Sequence, residues 1–259
     1  MRVPHKVIFL SLILISGVGL YIKKNRRNLH HKSVTKNQPI VFNGDSKKVL
    51  SIAAKYLPVN PVIVEAGAFD GKDTQLMAQF FPQGIIHTFE PDPDNYAQLQ
   101  KKITQFHNVK CHQLALSDNN GMALFHRSLD PENSNNRQSG SLLAPKEHLK
   151  SFAITFNEKI SIPTTTLESW AHKNIVDHID FLWLDMQGVE LNALKVSTDL
   201  LKKVKVIYTE VEFLEAYEGQ YQYKDVVSWL ENQGFTLIAK DFFGDGLDRF
   251  SGNVLMAKL

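Results

Sequence analysis

From position 45 to the C-terminus, short apolar runs alternate with longer stretches whose apolar residues recur every three or four positions. Period-free runs of four to eight apolar residues read as strands buried on both faces, and the 3.6-residue recurrence reads as amphipathic helix. Asp45 or Ser46 caps a helix that reaches about Leu57, with Val49, Leu50, Ala53 and Ala54 on one face. The expected strands are VIVEA (62–66), IIHTFE (85–90), VKCHQLALSD (109–118), MALFH (122–126), IDFLWLD (179–185), VIYTEVEF (206–213), TLIAKDF (236–242) and NVLMAKL (253–259). Between them lie helical stretches at 73–81, 94–106, 166–174, 190–204 and 224–235, the last ended by Gly234. Doubly buried strands that alternate with helices imply an α/β, doubly wound, mostly parallel sheet. In such a sheet, ligands bind at the carboxyl ends of the strands.

The N-terminal residues follow a different pattern. An uncharged apolar stretch begins at Val7 and ends at Ile22, with Lys6 before it and Lys23, Lys24, Arg26 and Arg27 after it. It is slightly short for a span of about 20 residues, and no small-residue cleavage site follows, so it reads as an uncleaved anchor in preference to a signal peptide. The more basic C-terminal flank would leave the rest of the chain in the cytoplasm, with the protein membrane-anchored there. Residues 1–27 are thus expected to be an anchor segment, 28–45 a polar linker and 46–259 the folded domain. Composition adds little to that division. The chain is 43% apolar and 22% charged, as globular proteins are, and its net charge of +2 gives no reason to expect nucleic acid as a partner. The single Cys111 cannot form an internal disulfide, which favours a reducing compartment.

The candidate chemistry lies at the strand ends. After the first strand, Glu65-Ala66-Gly67-Ala68-Phe69-Asp70-Gly71 spells E-x-G-x-x-x-G, which lacks the glycine spacing of a dinucleotide fingerprint. It suits a turn whose backbone approaches a smaller nucleoside ligand. The next strand ends in Glu90, where an α/β nucleoside site places an acid for the ribose hydroxyls, and Pro91 stops that strand. At the third strand end, Ser117 and Asp118 are candidates to meet an adenine edge. Three strand ends with an ordered set of acids fit S-adenosylmethionine (SAM) better than NAD.

These blocks, EAGAFDG, FEPDPDNYAQL, LALSDNNG, PTTTLESW and IDFLWLDMQGVELNAL, resemble the FkbM-type methyltransferases of the class I SAM-dependent superfamily, from about residue 62 to 213. The resemblance implies a seven-stranded Rossmann-like sheet with a final antiparallel strand, SAM over the first strands, and methyl transfer to a hydroxyl oxygen. It places Glu65, Gly67 and Gly71 on the methionine side, Glu90 by the ribose and Asp118 by the adenine, and Ala68, Pro91 and Ser117 are the further cofactor-binding candidates beside them. Where the family often has a second acid, this chain has Gln187.

A hydroxyl acceptor must lose its proton, so a base or a metal ion belongs nearby. Asp185, Gln187 and Glu190 follow one strand, and Glu210 and Glu212 share a face of the next. Asp185 is the expected base, with Glu210 the second candidate. A divalent cation held by Asp185, Glu210 and Glu212 is possible but not favoured. Glu190 also reads simply as an acid at a helix start. The ten histidines lack metal-ligand spacing: His87 and His112 fall inside strands and read as packed, and His126 is a weak alternative base. Trp170, Trp183 and Trp229 fall on apolar faces. The polar segment 127–151, with Ser139-Gly140-Ser141, reads as a lid or acceptor loop. The expected acceptor is a small-molecule or glycan hydroxyl; a catalytically silent SAM-binding module is the alternative, and oligomeric state is left open.

Overall fold

The computed structural model describes residues 38–132, 137–242 and 249–259. Its elements run β1 (Ile40–Val41), α1 (Ser46–Ala53), β2 (Val62–Ala66), α2 (Lys72–Phe80), β3 (Ile85–Phe89), α3 (Pro93–Ile103), β4 (Val109–His112), β5 (Ala115–Leu116) and β6 (Gly121–Leu129). There follow α4 (His148–Ser151), β7 (Thr155–Thr165), α5 (Leu167–Lys173), β8 (Phe181–Leu184), α6 (Glu190–Lys195), α7 (Thr198–Leu201), β9 (Val206–Glu212), α8 (Tyr223–Asn232), β10 (Thr236–Lys240) and β11 (Ser251–Ala257).

The main sheet is ordered β1-β10-β11-β9-β8-β2-β3-β4. Strands β4, β3, β2, β8 and β9 run parallel, and β11 lies antiparallel between β9 and β10. Seven of these strands are the expected ones, and the antiparallel β11 is the one the resemblance implied. The chain leaves β2 toward β3 on one side and returns to β8 on the other, so the topological switch point lies at the carboxyl end of β2.

The alternation along the central strands explains the two apolar layers. Val64, Leu182, Leu184, Ile207 and Val211 face one cluster, with Leu191, Leu194, Val226 and Leu230 from the helices. Ile63, Phe181, Trp183, Val206 and Tyr208 face the other, with Val49, Leu50 and Met77. Burying both faces is what makes these strands read as nearly unbroken apolar runs.

Three features depart from the expected pattern. The eighth strand, β1, pairs parallel with β10 through Ile40 and Val41, and Phe42 behind it is fully buried. The polar stretch 28–45 therefore carries structure from residue 40. Second, β5 and β6 leave the main sheet and form a separate one, ordered β5-β7-β6. Strand β7 carries only two buried apolar side chains, Phe156 and Ile162, and the exposed run Asn157-Glu158-Lys159 interrupts its alternation, so its pattern is too weak to read as a strand. The polar segment expected from 127 thus begins as strand, since Arg127 pairs with Glu158. Third, the expectation of a membrane-anchored protein with a cytoplasmic domain is corrected. Among the described residues, no helix is long and apolar enough to cross a membrane. The stretch from Val7 to Ile22 lies outside the described residues.

Candidate active site

A cavity of about 350 Å³ opens at the carboxyl ends of β2, β3 and β8. Its position follows from the switch point. One side is the turn after β2: Glu65, Ala66, Gly67, Ala68, Phe69 and Asp70 all line it. Gly67 has φ +88°, and a Cβ there would sit 1.7 Å from the Asp185 carbonyl oxygen. Only glycine lets β2 turn this close to β8. The Gly67 and Ala68 N–H groups donate to the Phe89 carbonyl at 3.0 and 3.1 Å, tying the turn to β3. Phe69 is held at φ +50°, and its N–H donates to Glu90 Oε2 at 2.8 Å. Gly71 does not line the cavity; at φ +80° it turns the chain into α2 and abuts Leu99.

Glu65 is buried under two hydroxyls: Thr74 and Thr88 donate to its Oε2 at 2.5 and 2.7 Å. Burial pushes its carboxyl up to about 7 against those two hydrogen bonds. Glu90 is also buried, accepting from the Asp92 N–H at 2.9 Å and Asn95 Nδ2 at 3.4 Å as well as from Phe69. Desolvation pushes it up to about 8 despite the two backbone donors. Pro91 lines the cavity beside it. Asp92 caps α3 and takes a bidentate ion pair from the buried Arg127, at 2.5 and 2.9 Å. That pair locks the loop carrying Glu90 to β6.

The structure does not bring Ser117 and Asp118 to the cavity. Asp118 is exposed, bonded to its neighbours Ser117 and Asn119. The wall on that side carries Leu114, Leu116, Phe125 and Leu142, with Arg137 and Gln138 beside them. Gly140 also lines it, packed so closely on the Phe125 ring that a Cβ would lie 2.6 Å away. Segment 137–142 is therefore a fixed wall. Ser141 exchanges backbone hydrogen bonds with His126, and its hydroxyl donates to the Gln187 carbonyl at 2.7 Å.

The floor is acidic. Asp185, exposed to the cavity it lines, is nonetheless surrounded by protein whose desolvation raises its carboxyl, with Gln187 and Glu210 hydrogen-bonded to it. Gln187 stands at φ +57°; its Nε2 donates to Asp185 Oδ1 at 2.7 Å and to Glu210 Oε2 at 2.8 Å. Glu210 and Glu212 do not line the cavity. Both are pushed well above the usual range, first by burial and then by neighbouring acids. Glu190 closes the turn from β8 into α6, accepting from the Met186 and Gly188 N–H groups at 2.6 and 3.0 Å. Among the described residues, no group of three or more His, Cys, Asp or Glu is arranged to hold a metal ion. Asp185 and Glu190 each raise Glu210 and Glu212, and a cationic ligand would relieve their repulsion.

His87 and His112 pair with each other at 3.2 Å between Nδ1 and Nε2, packed against Trp170, and burial lowers both to about 4. His126 lies in β6 away from the cavity, which Phe125 lines in its place. Trp183 is buried yet borders the cavity. Pattern reading missed Tyr217 altogether. Its hydroxyl, with one hydrogen to donate, lies 2.8 Å from Gln187 Oε1 and 2.9 Å from the Ser139 carbonyl. Nothing local in AYEGQYQY marks that residue among its tyrosine neighbours.

Comparison with known proteins adds the following. Residues 65–237 match the family described as the methyltransferase FkbM domain. The 2-O-methyltransferase NoeI of Sinorhizobium fredii (strain NBRC 101917 / NGR234) is 32% identical over 199 residues, covering 76% of this chain and 79% of NoeI. Among solved structures, an rRNA methylase from Streptococcus thermophilus shares 11% identity at a TM-score of 0.47, over 82% of this chain and 95% of that one. Precorrin-6y C5,15-methyltransferase from Geobacter metallireducens GS-15 shares 13% identity at a TM-score of 0.45, over 82% and 87% of the two chains.

Proposed function

The chain belongs to the FkbM methyltransferase family and is a SAM-dependent methyltransferase; on that premise we propose that its acceptor is a hydroxyl group of a sugar, glycan or small metabolite, with Asp185 as the base. SAM supplies a methyl group on a positively charged sulfur. The residues present fit it. The cavity falls within the range of small-molecule sites, about 300–1,000 Å³. It combines apolar side chains for a base ring, a glycine turn at close approach, and an acidic floor opposite where positive charge would lie. Glu90 keeps acceptor capacity beyond its present partners, because a carboxylate offers about four lone-pair sites. With the Phe69, Asp92 and Asn95 donors in place, one site is left, on Oε2, which suits one ribose hydroxyl.

The observation that carries the acceptor-side reading is the position of Asp185. Of the carboxylates at the ends of β8 and β9, it is the one that lines the cavity. Methyl transfer forms the bond from acceptor oxygen to methyl carbon and breaks the carbon–sulfur bond, while the hydroxyl proton passes to Asp185. A raised carboxyl accepts that proton more readily than an ordinary one. The 2-O-methyltransferase relative supports a hydroxyl acceptor. The test is S-adenosylhomocysteine (SAH) release from SAM over a panel of glycosides, with Asp185→Asn beside the wild type. Turnover should fall by about 100-fold or more while SAH affinity stays within about threefold. Undiminished turnover removes Asp185 from the reaction.

A further inference from the structure

We infer that Gln187 is the positioning residue of the acceptor-side base: its amide nitrogen holds Asp185 and Glu210 in one arrangement, while its amide oxygen rests on the Tyr217 hydroxyl. This rests on Asp185 being the base.

The geometry leaves little freedom. One Gln187 Nε2 reaches Asp185 Oδ1 at 2.7 Å and Glu210 Oε2 at 2.8 Å, so both of its hydrogens are used. Gln187 Oε1 lies 2.8 Å from the Tyr217 hydroxyl. The opposite amide orientation would set an oxygen against two carboxyl groups and would need both of them protonated. With Asp185 ionised, only the observed orientation satisfies all the partners.

The backbone of Gln187 is clamped as well. Its left-handed φ of +57° is uncommon for a residue with a side chain and persists only where the surroundings over-determine it. Ser141 donates to its carbonyl, and the next N–H, that of Gly188, donates to Glu190. Gly188, at φ +100°, packs against Gln220 and Tyr217. Tyr217 is itself buried beneath the same wall, within hydrogen-bonding distance of Ser139. Asp185, Glu210 and Tyr217 thus meet at the Gln187 amide, and Ser141 holds its backbone carbonyl.

The consequence for the chemistry is a division of labour. Gln187 donates to Asp185 Oδ1 and Glu210 is hydrogen-bonded to the same carboxyl, so an acceptor hydroxyl meets a carboxyl whose orientation is already set. Glu210, outside the cavity lining, is held back as the partner whose own carboxyl its acid neighbours raise. The carboxyls of Asp73, Glu190 and Glu212 also act on this pair, and Lys72 lines the same cavity. All of these stay in place when Gln187 alone is changed. A glutamine does here what a second acid cannot: it donates to both carboxylates without adding charge.

The test follows the Asp185 carboxyl directly, in full-length protein carrying ¹³C at the Asp and Glu carboxyl carbons, the signal being assigned by its loss in Asp185→Asn. Gln187→Ala should raise the Asp185 midpoint by about one pH unit, because a donor to the charged form is lost. Gln187→Glu should raise it further, and Tyr217→Phe by a smaller amount, since the amide stays but loses the hydroxyl against its oxygen. An unmoved Asp185 midpoint in Gln187→Ala and Gln187→Glu, in proteins that melt cooperatively and bind SAH, overturns the inference. An unmoved midpoint in Tyr217→Phe alone overturns the role given to Tyr217. If Gln187→Ala and Gln187→Glu do not fold, Gln187→Met, which keeps the bulk without the donor, takes their place, and an unmoved Asp185 midpoint there overturns the inference. On any acceptor found among the glycosides, Gln187→Ala should lower kcat, leave KM for SAM within about twofold, and move the acidic limb of the pH–rate profile upward. An unmoved limb counts against it. Asp185→Asn with full turnover would instead remove the base while leaving the midpoint result standing, so the two failures are distinguishable.

Discussion

Replacing Glu90 by glutamine should separate folding from cofactor binding. In the free protein Glu90 is buried and pushed up to about 8, so near neutrality it is mostly the uncharged acid. Glutamine has nearly the same shape but a single acceptor oxygen, so one of the Phe69 and Asp92 N–H groups, which bond to different oxygens of Glu90, loses its acceptor. A carboxyl raised in the folded state stabilises below its ordinary value, and that contribution is lost as pH rises through the folded value. Relative to the wild type, Glu90→Gln should therefore be least stable below about pH 4.5 and should gain steadily as pH rises from there through about 8. Binding should move the opposite way. Ribose hydroxyls donate to a carboxylate, so the ligand selects the ionised form and binding releases a proton. At pH 6 roughly 1% of Glu90 is ionised, which costs about 3 kcal/mol, or about 100-fold in affinity relative to pH 9. Glu90→Gln should lose that pH slope and bind SAH about 10- to 100-fold more weakly at pH 9, the loss of one charge-assisted hydrogen bond. Glu65 and Glu190, both raised to about 7, titrate in the same range but remain in both proteins, so the difference isolates Glu90. Calorimetry of SAH from pH 6 to 9, in two buffers of unlike ionisation heat, counts the proton. Equal slopes in the two proteins, or equal affinity at pH 9, would refute the assignment of Glu90 to the ribose.

Gly67→Ala forces a Cβ to within 1.7 Å of the Asp185 carbonyl oxygen. Backbone cannot yield there without parting β2 from β8, so the cost should be about 4 kcal/mol or more and thermal melting should fall by more than about 10 °C. Arg127→Met leaves the buried Asp92 carboxylate unpaired and should cost about 3–5 kcal/mol in chemical denaturation. Adding Asp92→Asn should recover part of that loss, and no recovery would mean that packing, not charge, matters at Arg127. Phe42→Ala should cost about 3–5 kcal/mol by the same measurement, because Phe42 is fully buried against the layer holding Tyr208. A negligible cost would show that β1 is an ornament on the sheet edge.

What the sequence determined by itself was whatever depends on neighbours along the chain. Runs such as VIVEA and FLWL, buried on both faces, announce central parallel strands without reference to their partners. Gly67 and Glu90 are legible for the same reason: a strand end followed by glycine or proline places them at the ligand edge of any doubly wound sheet. The family blocks lie in these same segments. Tertiary structure alone decided what depends on distant partners. Ile40 and Val41 form a strand only because β10 offers a free edge. The LALSD block bends into the small sheet with β7, so Leu114 and Leu116 face the cavity while Asp118 does not. Tyr217 reaches Gln187 across 30 positions of chain. The protonation of the acids was also beyond the pattern. It is set by how much water each carboxyl loses and which other carboxyls it meets, and both come from segments far apart in sequence but packed around one floor.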